Sequence, residues 1–376
     1  MNERDITPPL HVTSTYETSW EDTQAIAAGN ETIAFYARYG SPTVQDVERK
    51  IRDLCAPDTP DEYDAILTSS GMAAVSLVLL GLLQSGDEII ATNTIYGGTA
   101  KLLREVLPRL GIVTHFVSCD LSDAKAHISP QTKLMWTESP ANPTNRLVIL
   151  DDAVKLAQKY KLISCIDATL GPPPLQHPLA HGFDLEIHAA TKYLGGHSDL
   201  LAGVVAGRRE LIATLRASHR LLGATPDPHA AFLLRRGLLT LPLRIAKINN
   251  TAQQLAHWLS EQPGVARVHY LGLENHPDHG AAILQMEGGF GGIVAFDLNE
   301  ATESAAQHVV EKLLLIRYAP SLGGTETLVS YPPLSSHAGQ SDEQLQAAGI
   351  SRGTLRLAVG LEPFEDLKKD LESALR

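Results

Sequence analysis

Residues 184–207 read DLEIHAATKYLGGHSDLLAGVVAG, two strand-length apolar runs joined by a turn that carries a lysine. DLEIHAA ends at Thr191 and Lys192, and two glycines and Ser198 follow at once. A lone lysine at a strand end is ordinarily a solvated charge. Here the glycine-rich turn lets the chain pack closely around it, so its amine can be partly desolvated. That lowers its pKa and suits it to form a Schiff base.

The same rhythm extends upstream to Asp64. AILT precedes a helix from Met72, EIIAT a helix from Gly97, then IVTHFV, KLMWTE with a helix after Asp151, and LISCID. Such alternation implies a largely parallel sheet covered on both faces. Downstream, a Leu- and Arg-rich stretch predicts a helix from about Pro228 to Trp258, broken near Pro242. ARVHYL, GGIVAFDL, LIRYAP, TLVSY and TLRLAVGL then form a smaller α/β domain, with the boundary near residue 242. The first 45 residues lack steady periodicity and carry Pro8, Pro9, Gly29, Gly40 and Pro42. They read as an extended arm of the kind that wraps a neighbouring subunit.

The 376 residues exceed one ordinary domain. A net charge of −12 argues against a general nucleic-acid or anionic-membrane surface. Cys55, Cys119 and Cys165 form no CxxC spacing, which fits reduced thiols in the cytoplasm. The start, MNERDITPP, has no apolar stretch of a signal peptide. Ala73 to Leu83 is the longest apolar stretch and is too short to span a bilayer, so it reads as a buried helix.

In an open α/β sheet, ligands gather at the carboxyl ends of the strands. Ser69, Ser70, Gly71 and Met72 follow AILT and open a helix, whose first amides suit an anion. Asp167 ends LISCID and could hold a pyridinium nitrogen protonated. Taken singly, an ordinary turn and a strand-end cap explain these two features equally well. His276 and His279 lie in the loop NHPDHG with a metal-like spacing but no third ligand, so no metal is expected. His188 and His197 flank Lys192 and read as structural. LLRRGLLTLPLR reads as helix packing with solvated or ion-paired arginines.

FYARYGSPT, SSGMAA, YGGT, ESPANPT, IDAT, HAATKYLGGHSDLLAGVV, SLGGTETL and RLAVGLE occur in this order over nearly the whole chain. Together they resemble the Cys/Met-metabolism (trans-sulfuration) family of pyridoxal-phosphate enzymes. The resemblance implies an α/β transferase of fold type I, aspartate-aminotransferase-like. Its large, mostly parallel sheet domain is joined to a smaller C-terminal α/β domain, usually within a homodimer or homotetramer. The implied divisions are an arm over 1–45 contacting a neighbouring subunit, a cofactor domain over 46–242 and a C-terminal domain over 243–376.

The resemblance also assigns roles. Lys192 carries pyridoxal 5'-phosphate and moves protons. Gly71, Met72 and Thr191 bind its phosphate, and Tyr36 and Arg38 reach the phosphate of the neighbouring subunit. Tyr96 stacks on the ring and acts near the leaving group, and Asp167 pairs the ring nitrogen. Asn142, Ser321 and Arg356 bind the amino-acid substrate. Two positions depart from the family. Ala189 stands where a serine is usual, so one phosphate contact is missing. Ser41 stands where asparagine is common, which affects the local arm turn.

The shared residues serve γ-replacement, γ-elimination and β-elimination alike. Gly98 stands where methionine γ-lyases typically have a cysteine. Pro320 stands where many cystathionine enzymes carry glutamate, and plant-type cystathionine γ-synthases are more similar here. A γ-acting enzyme of cystathionine γ-synthase/lyase type is therefore expected, with a β-lyase as the alternative and a non-catalytic binding protein as a remote one.

Overall fold

The computed structural model describes residues 6–30 and 33–376, so residues 1–5, 31 and 32 of the expected arm lie outside it. Its larger sheet has seven strands: β1 (Tyr63–Thr68), β2 (Glu88–Thr92), β3 (Val113–Val117), β4 (Thr132–Glu138), β5 (Ile163–Asp167), β6 (Leu185–His188) and β7 (Gly203–Arg208). They lie in the order β1-β7-β6-β5-β4-β2-β3, and only β7 runs antiparallel to its neighbours. Successive strand residues alternate between two apolar layers. Leu67, Met135, Ile166 and Val204 share one core with the helices Pro42–Cys55 and Pro228–Ser260. Ile66, Trp136, Cys165 and Val205 share the other with Gly71–Leu82 and Arg209–Leu222. This double burial explains why the strands read as short, nearly unbroken apolar runs.

A second sheet contains β8 (Val265–His269), β9 (Ile293–Leu298), β10 (Arg317–Tyr318), β11 (Leu328–Ser330) and β12 (Thr354–Ala358), ordered β10-β11-β12-β9-β8. Arg356 lies in the middle of β12, between Ala295 of β9 and Ser330 of β11.

Two sequence expectations need correction. The helix Pro228–Ser260 is continuous for 33 residues and runs through Pro242. An interior proline costs about 3 kcal/mol. Leu234, Leu238, Leu241, Ile245 and Ile248 are all buried along this helix. Each buried side chain contributes roughly 1.5–3 kcal/mol, so burial wins.

The arm also holds a regular element, the helix Trp20–Ala27, none of whose residues is buried. Ser19 and Asp22 form its capping box, a local signal that outweighs the absent apolar stripe. Ser41 is the N-cap of Pro42–Cys55, accepting from Val44 N, so serine serves this turn. No helix among the described residues is long and apolar enough to cross a membrane.

Candidate active site

The turn after β6 brings Lys192 against the loop between β10 and β11. Lys192 Nζ donates to Ser321 Oγ at 2.6 Å. Ser321 has φ 95°, a conformation unfavourable for a side-chain-bearing residue and held here by its surroundings. Its carbonyl accepts from Arg356 Nη2 at 2.7 Å, while Arg356 Nη1 donates to Asn142 Oδ1 at 3.1 Å. Four residues distant in sequence thus form one connected group.

Burial, and then the charge of Arg356, lowers the Lys192 pKa to about 8. Arg356 is only 5% exposed, and burial lowers its own pKa to about 10. Its Nε has no hydrogen-bond partner, and no carboxylate among the described residues forms an ion pair with it.

Asp167 and Glu138 end adjacent strands and pair in register. Asp167 Oδ1 accepts from Thr169 N at 3.0 Å and Thr169 Oγ1 at 2.5 Å. Among the described residues no hydrogen bond falls on its Oδ2. Glu138 Oε2 accepts from Tyr96 N at 2.6 Å. Burial, reinforced by Asp167, pushes the Glu138 carboxyl well above its ordinary range. Burial also raises Asp167, but Thr169 pulls it back.

At the end of β1 the helix Gly71–Leu82 begins. Its N-cap Ser70 accepts from Ala73 N at 3.1 Å, leaving the Gly71 and Met72 amides free of intrahelical partners. A Cβ on Gly71 would stand 2.7 Å from Ala189 Cβ, so this close approach requires glycine. Ala189 thus lines the same small cradle.

The Thr191 hydroxyl exchanges hydrogen bonds with the Ala202 peptide, donating to its carbonyl at 3.3 Å. Tyr96 is 49% exposed, and a Cβ on Gly98 would meet its ring at 2.5 Å. Arg38 donates to Arg220 O at 2.7 Å and lies over the rings of Tyr39 and Tyr36, not within the Lys192 group.

Three supporting residues escaped sequence reasoning. Glu138 and Thr169 were in the quoted motifs ESPANPT and IDAT, but no role was assigned to them. Arg244 departs from the expectation of solvated or ion-paired arginines. It is buried and donates to Tyr193 O, Gly237 O and Thr240 Oγ1, which fastens the residue after Lys192 to the long helix. Arg235 does form an ion pair, with Asp46 at 2.8 Å. His276 and His279 are engaged with the backbone, at Thr144 O (3.0 Å) and Leu271 O (2.6 Å).

A desolvated lysine, a buried carboxyl on a neighbouring strand and open amides at a helix start suit a pyridine cofactor with an aldehyde and a phosphate. This combination on a mostly parallel sheet describes a pyridoxal-phosphate enzyme of the α/β type. The chain matches the model of the Cys/Met metabolism PLP-dependent enzyme family over residues 2–376, and it belongs to that family.

It is 38% identical over 342 residues to the chloroplastic cystathionine γ-synthase 1 of Arabidopsis thaliana, covering 90% of this chain and 60% of that longer one. It is 36% identical over 372 residues to cystathionine β-lyase of Lactococcus lactis subsp. cremoris, covering 98% and 94%. Methionine γ-lyases stand among its relatives at the same level of identity. The crystal structure of cystathionine γ-synthase from Xanthomonas oryzae pv. oryzae, in complex with aminoacrylate and cysteine, superposes with a TM-score of 0.90. Identity there is 34%, covering 98% of this chain and 92% of that one. The chain is thus a PLP-dependent enzyme of trans-sulfuration type.

Proposed function

We propose that the chain carries out γ-replacement or γ-elimination on an activated homoserine or a sulfur-bearing amino acid, in the manner of a cystathionine γ-synthase or γ-lyase. The observation that carries the amino-acid substrate is Arg356, a buried guanidinium with an open Nε and only neutral acceptors, while Gly98 and Pro320 incline the reading to γ-chemistry. An amino-acid carboxylate is the ligand that completes it. Ser321 joins this clamp to Lys192, so the carboxylate and Cα of one substrate are addressed together. A cavity of about 640 Å³ adjoins Ser321, lined in part by Asp199, Arg317, Pro320 and Glu326. It offers room for a substituent reaching beyond Cβ.

Pyridoxal phosphate, when bound, supplies the electron sink that stabilises negative charge at the substrate Cα. Lys192 Nζ takes the α-proton, and its pKa near 8 leaves a useful fraction unprotonated at neutral pH. Asp167 would pair the ring nitrogen through Oδ2, with Thr169 fixing the carboxyl. Gly71 and Met72 would hold the phosphate, with Thr191 once its bond to Ala202 is released. Tyr36 and Arg38 would serve the neighbouring subunit's site, and Tyr96 the ring and leaving group. A cytoplasmic homodimer or homotetramer with an arm over 1–45, a cofactor domain over 46–242 and a C-terminal domain over 243–376 completes the proposal. Trp20, 76% exposed on the arm helix, supports docking of the arm on a neighbour.

The second reading is β-elimination of cystathionine β-lyase type, favoured by the Lactococcus relative. A methionine γ-lyase reading is weaker, because Gly98 stands where those enzymes typically have a cysteine. Product analysis with homoserine esters, cystathionine, methionine and cysteine separates these readings. The expected result in deuterated water is a four-carbon oxo acid or a replacement product, with deuterium at Cβ. Pyruvate from β-substituted substrates alone would reassign the chain to β-elimination.

A further inference from the structure

The larger sheet carries a second polar cluster that the reaction described above does not use. Glu186 and His188 alternate onto one face of β6 at 0% and 1% exposure, and Cys55 closes on them from the end of its helix. His188 Nε2 is 2.5 Å from Glu186 Oε1 and 4.0 Å from Cys55 Sγ. The cross-strand neighbours on this face are Ile166, Val204 and Ala206, all apolar. Glu186 Oε2 and His188 Nδ1 are buried without partners.

A contact of 2.5 Å holds one proton between a carboxylate and an imidazole. It is too short for two ligands sharing a metal ion, since each would stand about 2 Å from that ion with a wide angle between them. Cys55 is not a competing acid, because burial and then Glu186 push its thiol well above the ordinary range. An apolar pair of similar size would avoid the desolvation cost, so the cluster calls for an explanation beyond packing.

Its position supplies one. Asp167 pairs across the sheet with Ile187, the residue before His188. The amide of Ala189, the residue after His188, donates to Thr169 Oγ1 at 2.8 Å, and that hydroxyl donates to Asp167 Oδ1. We propose that Glu186 and His188 form a positioning pair for Asp167, in which their buried contact fixes the end of β6 so that the Ala189 amide holds Thr169, and through it the Asp167 carboxyl, in place for the cofactor ring nitrogen. Burial raises the Asp167 pKa, while the Thr169 hydrogen bonds lower it, so a displaced Thr169 would favour the protonated acid. Glu138, the other acid facing this point, is itself pushed well above its ordinary range by burial and then by Asp167.

The pair proposal rests on the reading of Asp167 as the ring-nitrogen partner, so the test separates the two. Glu186→Gln, the apolar double variant Glu186→Val/His188→Val, and Asp167→Asn are prepared as apoproteins. Each is measured for melting temperature, for the dissociation constant of added pyridoxal phosphate, and for the pH dependence of the bound cofactor's visible band. Glu186→Gln and the double variant should each bind the cofactor about tenfold more weakly, within the range of coupled neighbours. The double variant should melt no lower than wild type. Glu186→Gln should add nothing in an Asp167→Asn background.

A folded double variant with wild-type affinity and an unchanged band would overturn the pair while leaving Asp167 in its role. Wild-type affinity in Asp167→Asn would overturn both. If the double variant fails to fold, Glu186→Gln conserves volume and carries the same comparison.

Discussion

Arg216 and Arg356 are both largely buried, yet they sit in opposite electrostatic settings. Arg216 reaches Glu48 Oε2 and Asp64 Oδ2 at 3.1 Å each and Ala65 O at 2.8 Å. Burial alone would lower its pKa, but the two carboxylates outweigh burial and raise it. Arg356 has two neutral acceptors and an open Nε, and burial prevails, lowering its pKa to about 10. The first arginine has its counter-ions within the chain and ties the helices Pro42–Cys55 and Arg209–Leu222 to β1. The second keeps one buried donor, Nε, without a partner among the described residues. Arg244 is also buried among neutral acceptors, but each of its nitrogens has one; a buried charge with an open donor points to a ligand more strongly than burial alone does.

The sharpest way to break this contrast is to delete each charge. Arg216→Met strands Glu48 beside Asp64 and should cost about 3–5 kcal/mol of stability, the usual result of removing one partner of a buried pair. Arg356→Met removes an uncompensated charge and should leave the melting temperature near wild type. Its penalty should fall on substrate binding: losing a charge-assisted contact worth about 1.5–3 kcal/mol raises KM roughly 10- to 150-fold. Denaturant unfolding and steady-state kinetics of the two variants test the crossed pattern. Equal destabilisation by both would show that Arg356 is structural.

A smaller effect sharpens the same point. In the apoprotein, Lys192 should react with an acylating reagent with a midpoint near pH 8, against 10.5 for an ordinary lysine. Arg356→Met removes a repelling positive charge, so the midpoint should move upward. Peptide mapping across a pH series measures both values. The depressed pKa has a stability consequence of fixed sign. Below pH 8 the amine is protonated in both folded and unfolded states, and its burial penalty is fully felt. As pH rises from about 8 toward 10.5 that penalty is progressively relieved, so this group alone favours the folded apoprotein at higher pH.

The legible parts of the molecule were those where local sequence and global fold demand the same thing. Strands buried on both faces must be apolar, so AILT, EIIAT and KLMWTE announced themselves. Lys192, Asp167 and Arg356 stood out through motifs in a fixed order. What stayed hidden was pairing across distance. Arg244 meets Tyr193 from 51 positions away, and Asn142 meets Arg356 across 214. Nothing local distinguishes Arg244 from Arg236, which is exposed on the same helix. Pro242 misled for the complementary reason, since tertiary burial overrode a local breaker. Glu186 shows a third case: its hydrogen-bond partner was two residues away and in plain view, but only the sheet reveals that both side chains face a sealed core.

The smallest expected effect concerns the cradle at Gly71, where Ala189 lacks the hydroxyl of a serine. Ala189 Cβ lies where a Cβ on Gly71 would nearly touch it, and the adjacent Gly71 and Met72 amides have no helical partners. A hydroxyl added by Ala189→Ser would therefore stand close to any anion held there. A neutral hydrogen bond contributes about 0.5–1.5 kcal/mol, so cofactor release should slow by at most about tenfold. The competing change, Gly71→Ala, forces a 2.7 Å contact with Ala189 Cβ and must open the cradle, so release should accelerate. Opposite signs at two touching positions are what a phosphate seat predicts. Stopped-flow release of cofactor, read by its visible absorbance, checks them. Equal rates for wild type and Ala189→Ser, with Gly71→Ala also unchanged, would move the phosphate away from this helix.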